Sequence, residues 1–389
     1  MEKLVNSFIE FFGEKDDIRV YSAPGRVELG GNHTDHQKGC VLAASVSMDM
    51  MSAAAKNGEN ILRVKSEGYP LIEIDVNSIE PVESDKNTTT ALIRGIIDAF
   101  SKRGKTVSGA DIYAVSNVLK GSGLSSSAAF EVLIGTTLSD LFGLGFSQEE
   151  IAKIGQYAET VHFGKPSGLM DQMASAVGGI VAIDFSKEPP AIEKIECDLE
   201  KLGYNLVIID AGADHADLTH EYAAIPQEMR CVANCFGKEI LSEVSEDEFY
   251  KNIKKVREKL GDRAVLRAIH YYSDTKRAVN EAACLKNNDF DGFLTLIKES
   301  GNSSFKYLQN IYVSGSVKDQ AMAFALAVSE KLLNGRGAVR IQGGGFGGTL
   351  EAFVPIDMTD KFIEGIDNAI GKNMCSVLTI RKDGGVRVK

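Results

Sequence analysis

A stretch rich in glycine and serine in the middle of the chain carries the strongest chemical signal. It runs Leu119-Lys-Gly-Ser-Gly-Leu-Ser-Ser-Ser-Ala128 and opens an apolar segment that ends near Leu144. Small residues leave peptide N–H groups uncovered, and a helix start presents unpaired donors at the positive end of its dipole. The pattern therefore predicts a helix start that binds an anion such as phosphate. A glycine turn with a serine N-cap is the simpler alternative.

Other residues with catalytic chemistry are scattered and individually ambiguous. Arg26 follows a proline-glycine pair and could equally be a surface arginine. Asp171 lies shortly after Gly168 at a predicted helix start, where the helix dipole favours an acid whatever its function. His33 and His36 flank Thr-Asp, but no third ligand lies nearby, so this spacing does not favour zinc. Their meaning depends on the rest of the chain.

A second glycine-rich stretch, Gly343-Gly-Gly-Phe-Gly-Gly348, matches the GxGxxG spacing of dinucleotide-binding folds. It lies about 40 residues from the end of the sequence and leads into a strand. A dinucleotide motif instead occupies an early strand-to-helix turn and needs further strand-helix units after it. The stretch at 119–128 also lacks the Gly-Lys-Ser/Thr ending of a P-loop. Dehydrogenases and P-loop NTPases are therefore disfavoured.

The length and charge of the chain restrict its class further. A chain of 389 residues exceeds what one hydrophobic core usually supports, so two domains are expected. The net charge of −11 argues against non-specific binding to nucleic acid or to an anionic membrane. We expect small-molecule partners, no nucleic acid and no membrane, while the composition predicts no particular oligomeric state.

Cysteine use and the first residues indicate a cytoplasmic protein. The six cysteines are scattered and form no CxxC pair, which is typical of reduced thiols. The first ten residues carry charges too early for a signal peptide, and no run of 18 apolar residues occurs. We therefore expect a cytoplasmic protein without a membrane span.

The hydrophobic pattern predicts a mixture of strands and helices. Strands are expected at 18–22, 61–66, 71–76, 110–118, 180–184, 206–210 and 349–355, helices at 2–13, 90–102, 147–161 and 361–370, and a turn at Ala23–Arg26. The elements lack the regular alternation of a doubly wound sheet, so two α+β domains fit best. Glu188-Pro-Pro190 punctuates the chain and divides residues 1–190 from residues 191–389.

Three motifs become informative when they are taken together. They are Pro24-Gly-Arg26 followed by His33-Thr-Asp35, then Gly121–Ala128, then Gly343–Gly348. In this order and spacing they resemble the three motifs of the GHMP small-molecule kinases, and the first resembles that of galactokinases. The resemblance spans essentially the whole chain, including Met170-Asp-Gln172 and Glu221-Tyr222. It implies an N-terminal α/β domain related to ribosomal protein S5, a C-terminal ferredoxin-like α+β domain, and an active site between them.

The resemblance also implies site residues, with ATP and Mg²⁺ as the bound groups. Asp171 matches the acid that faces the sugar's anomeric hydroxyl, and Arg26 matches the arginine beside it. Ser127 and Glu159 match the Mg²⁺ ligands. The residues expected around the nucleotide phosphates are Gly121, Ser122, Gly123, Leu124, Ser125, Ser126 and Ser127. Those expected at the sugar are Asn32, His33, Asp35, His36, Gly168 and Tyr222, and those of the third loop are Gly344, Gly345, Phe346 and Gly347.

The first motif departs from that of galactokinases in ways that concern the sugar. Galactokinases usually carry Glu where this chain has Asn32, Asn-Leu-Ile where it has Glu28-Leu29-Gly30, and Tyr-Asn where it has His36-Gln37. An amide at position 32 carries no negative charge, so a sugar 6-carboxylate would meet no repulsion there, and His36 could attract it. The Asp-His-Gln run also resembles galacturonate kinases. The chain has no Trp, so adenine contacts are unassigned.

The resemblance thus implies an ATP- and Mg²⁺-dependent sugar 1-kinase that converts D-galactose to α-D-galactose 1-phosphate. Galacturonate or a related hexose is the alternative substrate, and a catalytically silent sugar and nucleotide sensor is the alternative class. Phosphoryl transfer needs positioning and charge neutralisation above all. Asp171 could accept the hydroxyl proton while Arg26 keeps it ionised.

Overall fold

The computed structural model describes residues 1–118, 123–165, 167–212 and 218–389. Strands and helices alternate irregularly along the described residues. The strands are β1 (Arg19–Gly30), β2 (Cys40–Lys56), β3 (Ile61–Ser66), β4 (Leu71–Asp75), β5 (Ala110–Ser116), β6 (Ile180–Asp184), β7 (Ala191–Ile195), β8 (Tyr204–Asp210), β9 (Ala338–Ile341), β10 (Thr349–Pro355), β11 (Cys375–Leu378) and β12 (Val386–Arg387). The α-helices are α1 (Glu2–Phe12), α2 (Thr89–Ser101), α3 (Ser126–Leu141), α4 (Gln148–Tyr157), α5 (Met170–Val177), α6 (Thr219–Asn234), α7 (Glu246–Leu260), α8 (Asp262–Lys286), α9 (Phe290–Ser303), α10 (Ala321–Leu333) and α11 (Thr359–Ala369).

The first sheet is built around the long strands β1 and β2. Its order is β12-β1-β2-β5-β3-β4, with β6 on β2 and β7 on β6. All pairs are antiparallel except β3 with β5. Helices α2, α3, α4 and α5 pack together, and α3 and α5 lie on β1 and β2. The apolar side chains that recur at helix and strand spacing form the core between these helices and the sheet.

The turn predicted at Ala23–Arg26 is wrong, because strand β1 continues through it. Pro24 pairs with Asp49 and Arg26 with Ser45, and the register shifts between the two pairs. Such a bulge lets a strand accommodate proline and glycine and re-aims the next side chain. The peptide N–H of Arg26 donates to the carbonyl oxygen of Leu124 at 3.0 Å. The bulge therefore joins β1 to the glycine- and serine-rich stretch.

The second sheet has the topology expected of the C-terminal half. Its four antiparallel strands have the order β11-β8-β10-β9. In chain order the unit runs from β8 through helices to β9, β10, α11 and β11, which gives the strand order fourth, first, third, second. This is a ferredoxin-like arrangement. The α+β class with two packed units is confirmed.

Helices α8 and α9 lie between the two sheets. Helix α8 packs on β1, β2, β6 and β7, while α9 packs on β9. One hydrophobic cluster draws side chains from both sides, including Leu29 and Leu42 of the first sheet and Leu206 and Phe353 of the second. The two sheets therefore share part of one core, which holds the motifs of the two halves in a fixed relation.

Strand pairing crosses the division predicted at residue 190. Strand β7, which follows that residue, pairs with β6, and β12 at the end of the chain pairs with β1. A limit after Ile195, with β12 returning to the first sheet, agrees better with this pairing. The division into 1–190 and 191–389 itself stays a prediction.

Two general features bear on the environment of the protein. Among the described residues, each helix is too short or too polar to cross a lipid bilayer. The six cysteines are free thiols.

Strand β1 and helix α8 are in close contact at Gly30 and Glu281, next to the first motif. A Cβ added at Gly30 would lie 1.6 Å from Oε2 of Glu281. Glu281 is fully buried, neither of its carboxyl oxygens has a partner among the described residues, and burial raises its pKa well above the ordinary value. Glycine at position 30 therefore makes room for a neutral carboxyl group.

We predict that Gly30→Ala destabilises the protein by about 1–3 kcal/mol, because the new methyl group overpacks this contact. The free energy of unfolding is measured by urea denaturation. In a Glu281→Ala background the same substitution should cost much less, since the two sites are coupled. Equal costs in the two backgrounds would contradict this contact.

Candidate functional site

Arg26 and Asp171 form a two-pronged ion pair at the centre of the site. Arg26 Nε donates to Asp171 Oδ1 at 2.8 Å, and Arg26 Nη2 donates to Oδ2 at 2.9 Å. The arginine is buried, whereas the aspartate side chain keeps 31% of its surface exposed. Arg26 comes from the bulge of β1 and Asp171 from the first turn of α5. The two residues singled out in the sequence are therefore in direct contact.

The charges of this pair stabilise each other. Burial opposes ionisation of Asp171, but the charge and hydrogen bonds of Arg26 outweigh it and lower the pKa of the carboxyl group. The Ser125 hydroxyl also donates to Asp171 Oδ2. Asp171 is thus an ionised, partly exposed carboxylate at neutral pH.

The glycine- and serine-rich stretch leads into a helix as predicted. Helix α3 begins at Ser126, so Ser126 and Ser127 lie in its first turn, at the positive end of the helix dipole. Ser125 adopts a left-handed backbone conformation, with φ 54°. This unusual conformation turns its hydroxyl to Asp171 rather than into a helix cap. The predicted phosphate-loop residues Gly121 and Ser122 lie outside the described residues.

The remaining residues of this stretch are fixed through their backbone. The carbonyl oxygen of Gly123 accepts from Arg26 Nη1 at 2.6 Å and from Gln342 Nε2 at 2.9 Å. The Leu124 side chain is buried in the core shared by the two sheets. Leu124 can therefore contribute to a ligand site only through its peptide group.

Glu159 lies on a π-helical segment, Ala158–Phe163, which follows α4. Wide turns of this kind are frequent at functional sites. Its carboxylate is buried and accepts from Lys165 Nζ at 2.9 Å, from Ser167 Oγ at 2.6 Å and from Gln172 Nε2 at 2.9 Å. Glu159 is thereby tied to α5, the helix that carries Asp171.

Two residues beside Glu159, Gln172 and Glu131, were not among the expected site residues, although Gln172 belongs to the motif Met170-Asp-Gln172. The Gln172 amide donates from Nε2 to both Glu159 and Glu131, at 2.9 Å each. Glu131 is fully buried, and its Oε1 has no donor among the described residues. Burial, then the charge of Glu159, raises the pKa of Glu131 well above its ordinary value. The available signal was a single acid within the apolar face of α3, four residues after Ser127.

Four of the expected sugar residues lie close to one another, and one of them, Asp35, lies near enough to Asp171 to feel its charge. A Cβ at Gly168 would lie 1.8 Å from Asp35 Oδ2, so this glycine permits Asp35 to approach the start of α5. Burial, then the charge of Asp171, raises the pKa of Asp35 to about 6. The His33 and His36 rings are in contact, with centroids 5.6 Å apart. Gly168, Asp35, His33 and His36 are thus close neighbours.

Both histidines are neutral at neutral pH. Burial lowers the pKa of His33 to about 4, and burial together with His33 and Arg230 lowers that of His36 well below its ordinary value. His36 Nε2 is buried and has no partner among the described residues. The His36 ring is therefore uncharged and, contrary to what the sequence had suggested, would not attract a sugar carboxylate electrostatically.

Asn32 differs from the sequence expectation, because its side chain has no exposed surface. Its amide nitrogen donates to Glu28 Oε1 and to the carbonyl oxygen of Gly343, both at 2.7 Å. Its amide oxygen accepts from Ser304 Oγ at 3.2 Å and from Asn310 Nδ2 at 2.9 Å. These four bonds use the full capacity of an asparagine side chain. The sugar-binding role of Asn32 stays a prediction that this geometry does not favour.

The third glycine loop lies against the first motif. The carbonyl oxygen of Gly344 contacts His33 Nε2 at 3.0 Å, and that of Gly345 accepts from the Tyr222 hydroxyl at 2.7 Å. The Phe346 ring meets Tyr222 edge-on, with centroids 5.4 Å apart. Gln342, just before the loop, reaches Gly123. The structure therefore brings the three motifs to one place.

Comparison with known proteins agrees with this arrangement. The model of the GHMP kinases N terminal domain matches residues 91–179, and the galactokinase galactose-binding signature matches residues 6–56. The galactokinase of Glaesserella parasuis is 30% identical over 379 residues, which cover 94% of this chain and 91% of the relative. The chain belongs to the galactokinase family. The Streptomyces coelicolor galactokinase is 28% identical, with 93% and 91% covered.

Solved structures place the galactokinase family fold on the whole chain. The Lactococcus lactis galactokinase, solved in complex with galactose, superposes with a TM-score of 0.86 at 24% identity, covering 100% of this chain and 99% of that one. The Methanococcus jannaschii mevalonate kinase gives a TM-score of 0.65 at 16% identity, with 94% and 99% covered. The two-unit GHMP kinase fold expected from the motifs is confirmed.

We predict that Glu131→Gln stabilises this galactokinase family member at neutral pH. The pKa of Glu131 is raised in the folded state above its unfolded value of about 4.5, so the wild type loses stability as pH rises above that value. Glutamine has no such loss, and its amide could donate to Gln172 Oε1, which is buried without a partner among the described residues.

The free energy of unfolding should be about 1 kcal/mol or more higher for the variant at pH 7, with the two proteins converging below about pH 4. Urea denaturation across this pH range, in buffer with a chelator, measures the difference. Glu330→Gln, on an exposed face of α10, is the control and should show no such trend. A variant that is less stable at pH 7 would contradict the buried, neutral state of Glu131.

Proposed function

We propose that this chain transfers the γ-phosphoryl group of ATP to the anomeric hydroxyl of D-galactose, forming α-D-galactose 1-phosphate and ADP. The observation that carries the proposal is the Arg26–Asp171 pair, set between the start of α3 and the third glycine loop. Membership of the galactokinase family supports the choice of reaction and sugar.

Asp171 has the geometry to orient the attacking hydroxyl. Its Oδ2 accepts from Arg26 and Ser125, whereas Oδ1 accepts from Arg26 alone among the described residues. A carboxylate oxygen accepts two hydrogen bonds, so Oδ1 keeps one position for a sugar hydroxyl. Because the pKa of Asp171 is lowered, it is a weak base. It orients the hydroxyl first and takes its proton as the new O–P bond forms, which suits a loose transition state.

Arg26 acts on Asp171 and on the phosphate loop together. Its guanidinium keeps Asp171 ionised and holds the Gly123 carbonyl group. Residues Gly123–Ser127 then present peptide N–H groups and hydroxyls at the start of α3 to the nucleotide phosphates. ATP supplies the activated phosphoryl group, and the protein supplies the alignment of donor and acceptor.

Ser127 and Glu159 are the residues that would hold Mg²⁺. Hydroxyl and carboxylate oxygens are the donors that this hard cation prefers. The surroundings fit a cation, since Glu159 Oε1 accepts from Lys165 alone among the described residues, and Gln172 Oε1 is a buried acceptor without a donor there. When bound, Mg²⁺ neutralises charge on the phosphates.

The sugar end of the proposed site has several uncharged hydrogen-bonding groups. Neutral His33 and His36 can both donate and accept, and the Tyr222 hydroxyl lies at the third loop. Asp35 and Asp171 would repel a carboxylate. These properties favour galactose over galacturonate.

The substrate is tested by a coupled ADP-release assay with ATP, Mg²⁺ and each of galactose, galacturonate, arabinose and N-acetylgalactosamine. We expect the highest kcat/KM with galactose. A higher value with galacturonate would replace the proposed substrate, and tight binding of a sugar without turnover would favour a silent sensor.

We predict that Asp171→Asn lowers kcat by about 10²–10⁴-fold, because an amide at position 171 cannot take the proton of the sugar hydroxyl. Galactose binding, measured by calorimetry, should persist. Asp357→Asn, which breaks an exposed pair with Arg336, is the matched control and should leave kcat unchanged. Near-normal turnover by Asp171→Asn would exclude the role proposed for this residue.

A further inference from the structure

The third glycine loop is held by its carbonyl groups. The Gly343 carbonyl oxygen accepts from Asn32 Nδ2 at 2.7 Å. The Gly344 oxygen accepts from Asn310 Nδ2 at 3.1 Å, and the Gly345 oxygen accepts from the Tyr222 hydroxyl. Three successive carbonyl groups are therefore bound by side chains from three separate parts of the chain.

This arrangement fixes the direction of the loop's N–H groups. In a trans peptide, the N–H group points opposite to the carbonyl oxygen of the preceding residue. The N–H groups of Gly344 and Gly345 are therefore directed away from the side chains that hold the carbonyl oxygens. Outward N–H groups on a glycine loop can bind an anion.

Asn32 and Asn310 form a single unit in this contact. Asn310 Nδ2 donates both to the Asn32 amide oxygen at 2.9 Å and to the Gly344 carbonyl oxygen. The main-chain carbonyl oxygen of Asn310 accepts from the Phe346 N–H group at 2.5 Å. The two amide side chains thus bind successive carbonyl groups of the loop, Gly343 and Gly344, and they are hydrogen-bonded to each other.

Asn32 is itself anchored from the other side. Its peptide N–H group donates to Asp274 Oδ2 at 2.8 Å, and its side chain donates to Glu28, a carboxylate that also accepts from Arg340 Nη2 at 3.1 Å. Asn32 and Asn310 are both fully buried. The side chain of Asn32 is therefore fixed between the first sheet and the loop, away from solvent.

We propose that Asn32 is a positioning residue that, with Asn310, sets the conformation of the glycine loop Gly343–Gly348, and that it is not a ligand of the sugar. Sugar contacts then fall to its neighbours in the first motif. The expected effect on turnover rests on the proposed kinase function, whereas the effect on the loop does not.

The test uses Asn32→Asp and Asn310→Asp in the full chain, with Asn287→Asp, an exposed residue after α8, as the control. Aspartate keeps the shape of asparagine but replaces the amide donor with an acceptor. Asn32→Asp therefore loses the bond to the Gly343 carbonyl oxygen, and Asn310→Asp loses the bond to the Gly344 carbonyl oxygen. Hydrogen exchange is measured in peptides that cover 342–348. The Phe346 and Gly347 N–H groups, which donate to Asn310 and Gly345, are the reporters.

We expect exchange at these reporters to become at least about tenfold faster in both variants and unchanged in the control. For the kinase reaction, kcat should fall at least about tenfold in both, while the galactose Kd from calorimetry stays within about threefold. Unchanged loop exchange in both variants would overturn the proposal. A galactose Kd raised tenfold in Asn32→Asp but not in Asn310→Asp would also overturn it, because a sugar ligand would behave in that way.

The exchange measurement does not depend on kinase activity. If the wild type phosphorylates no galactose, the kinase proposal fails, but the exchange measurement still decides the role of Asn32. If Asn32→Asp does not fold, as judged by circular dichroism, Asn310→Asp reports on the same loop.

Discussion

The ion pair between Arg26 and Asp171 is the interaction on which the site depends. One guanidinium group joins a bulge of the first sheet to helix α5 through Asp171 and to the glycine- and serine-rich stretch through Gly123. Because Arg26 is buried, removing its partner would leave a costly unpaired charge, so the pair is held as a unit. The same pair keeps Asp171 ionised with one acceptor position open. Arg26 thus determines both the position and the charge state of Asp171.

A second constraint comes from the core shared by the two sheets. Helices α8 and α9 fill the space between them, and buried polar groups there connect the first motif to the third glycine loop. Asn32, near the start of the chain, and Asn310, shortly before the loop, both bind this loop. Motifs that lie more than 300 residues apart in sequence, such as Asn32 and Gly343, are therefore directly hydrogen-bonded.

Sequence patterns predicted much of the fold and several residues that the structure brings together, but they predicted less of how those residues are connected. Alternating apolar residues predicted β3 and β4, and helical spacing predicted α2, because these patterns depend on local geometry. The turn at Ala23–Arg26 was predicted from proline and glycine, but pairing with β2 makes it a strand with a bulge. Asn32 matched a sugar-contacting position by motif, yet its partners Ser304 and Asn310 are more than 270 residues away. Such long-range contacts leave no local pattern.

We propose that the site joins the γ-phosphate of ATP to a sugar's anomeric oxygen, which Asp171 orients. The most direct measurement is ³¹P and ¹H NMR of the product formed from ATP and galactose. We expect one sugar phosphate, with phosphorus coupled to the anomeric proton of the α-anomer. A phosphate ester at another carbon, or release of inorganic phosphate without a sugar ester, would contradict it.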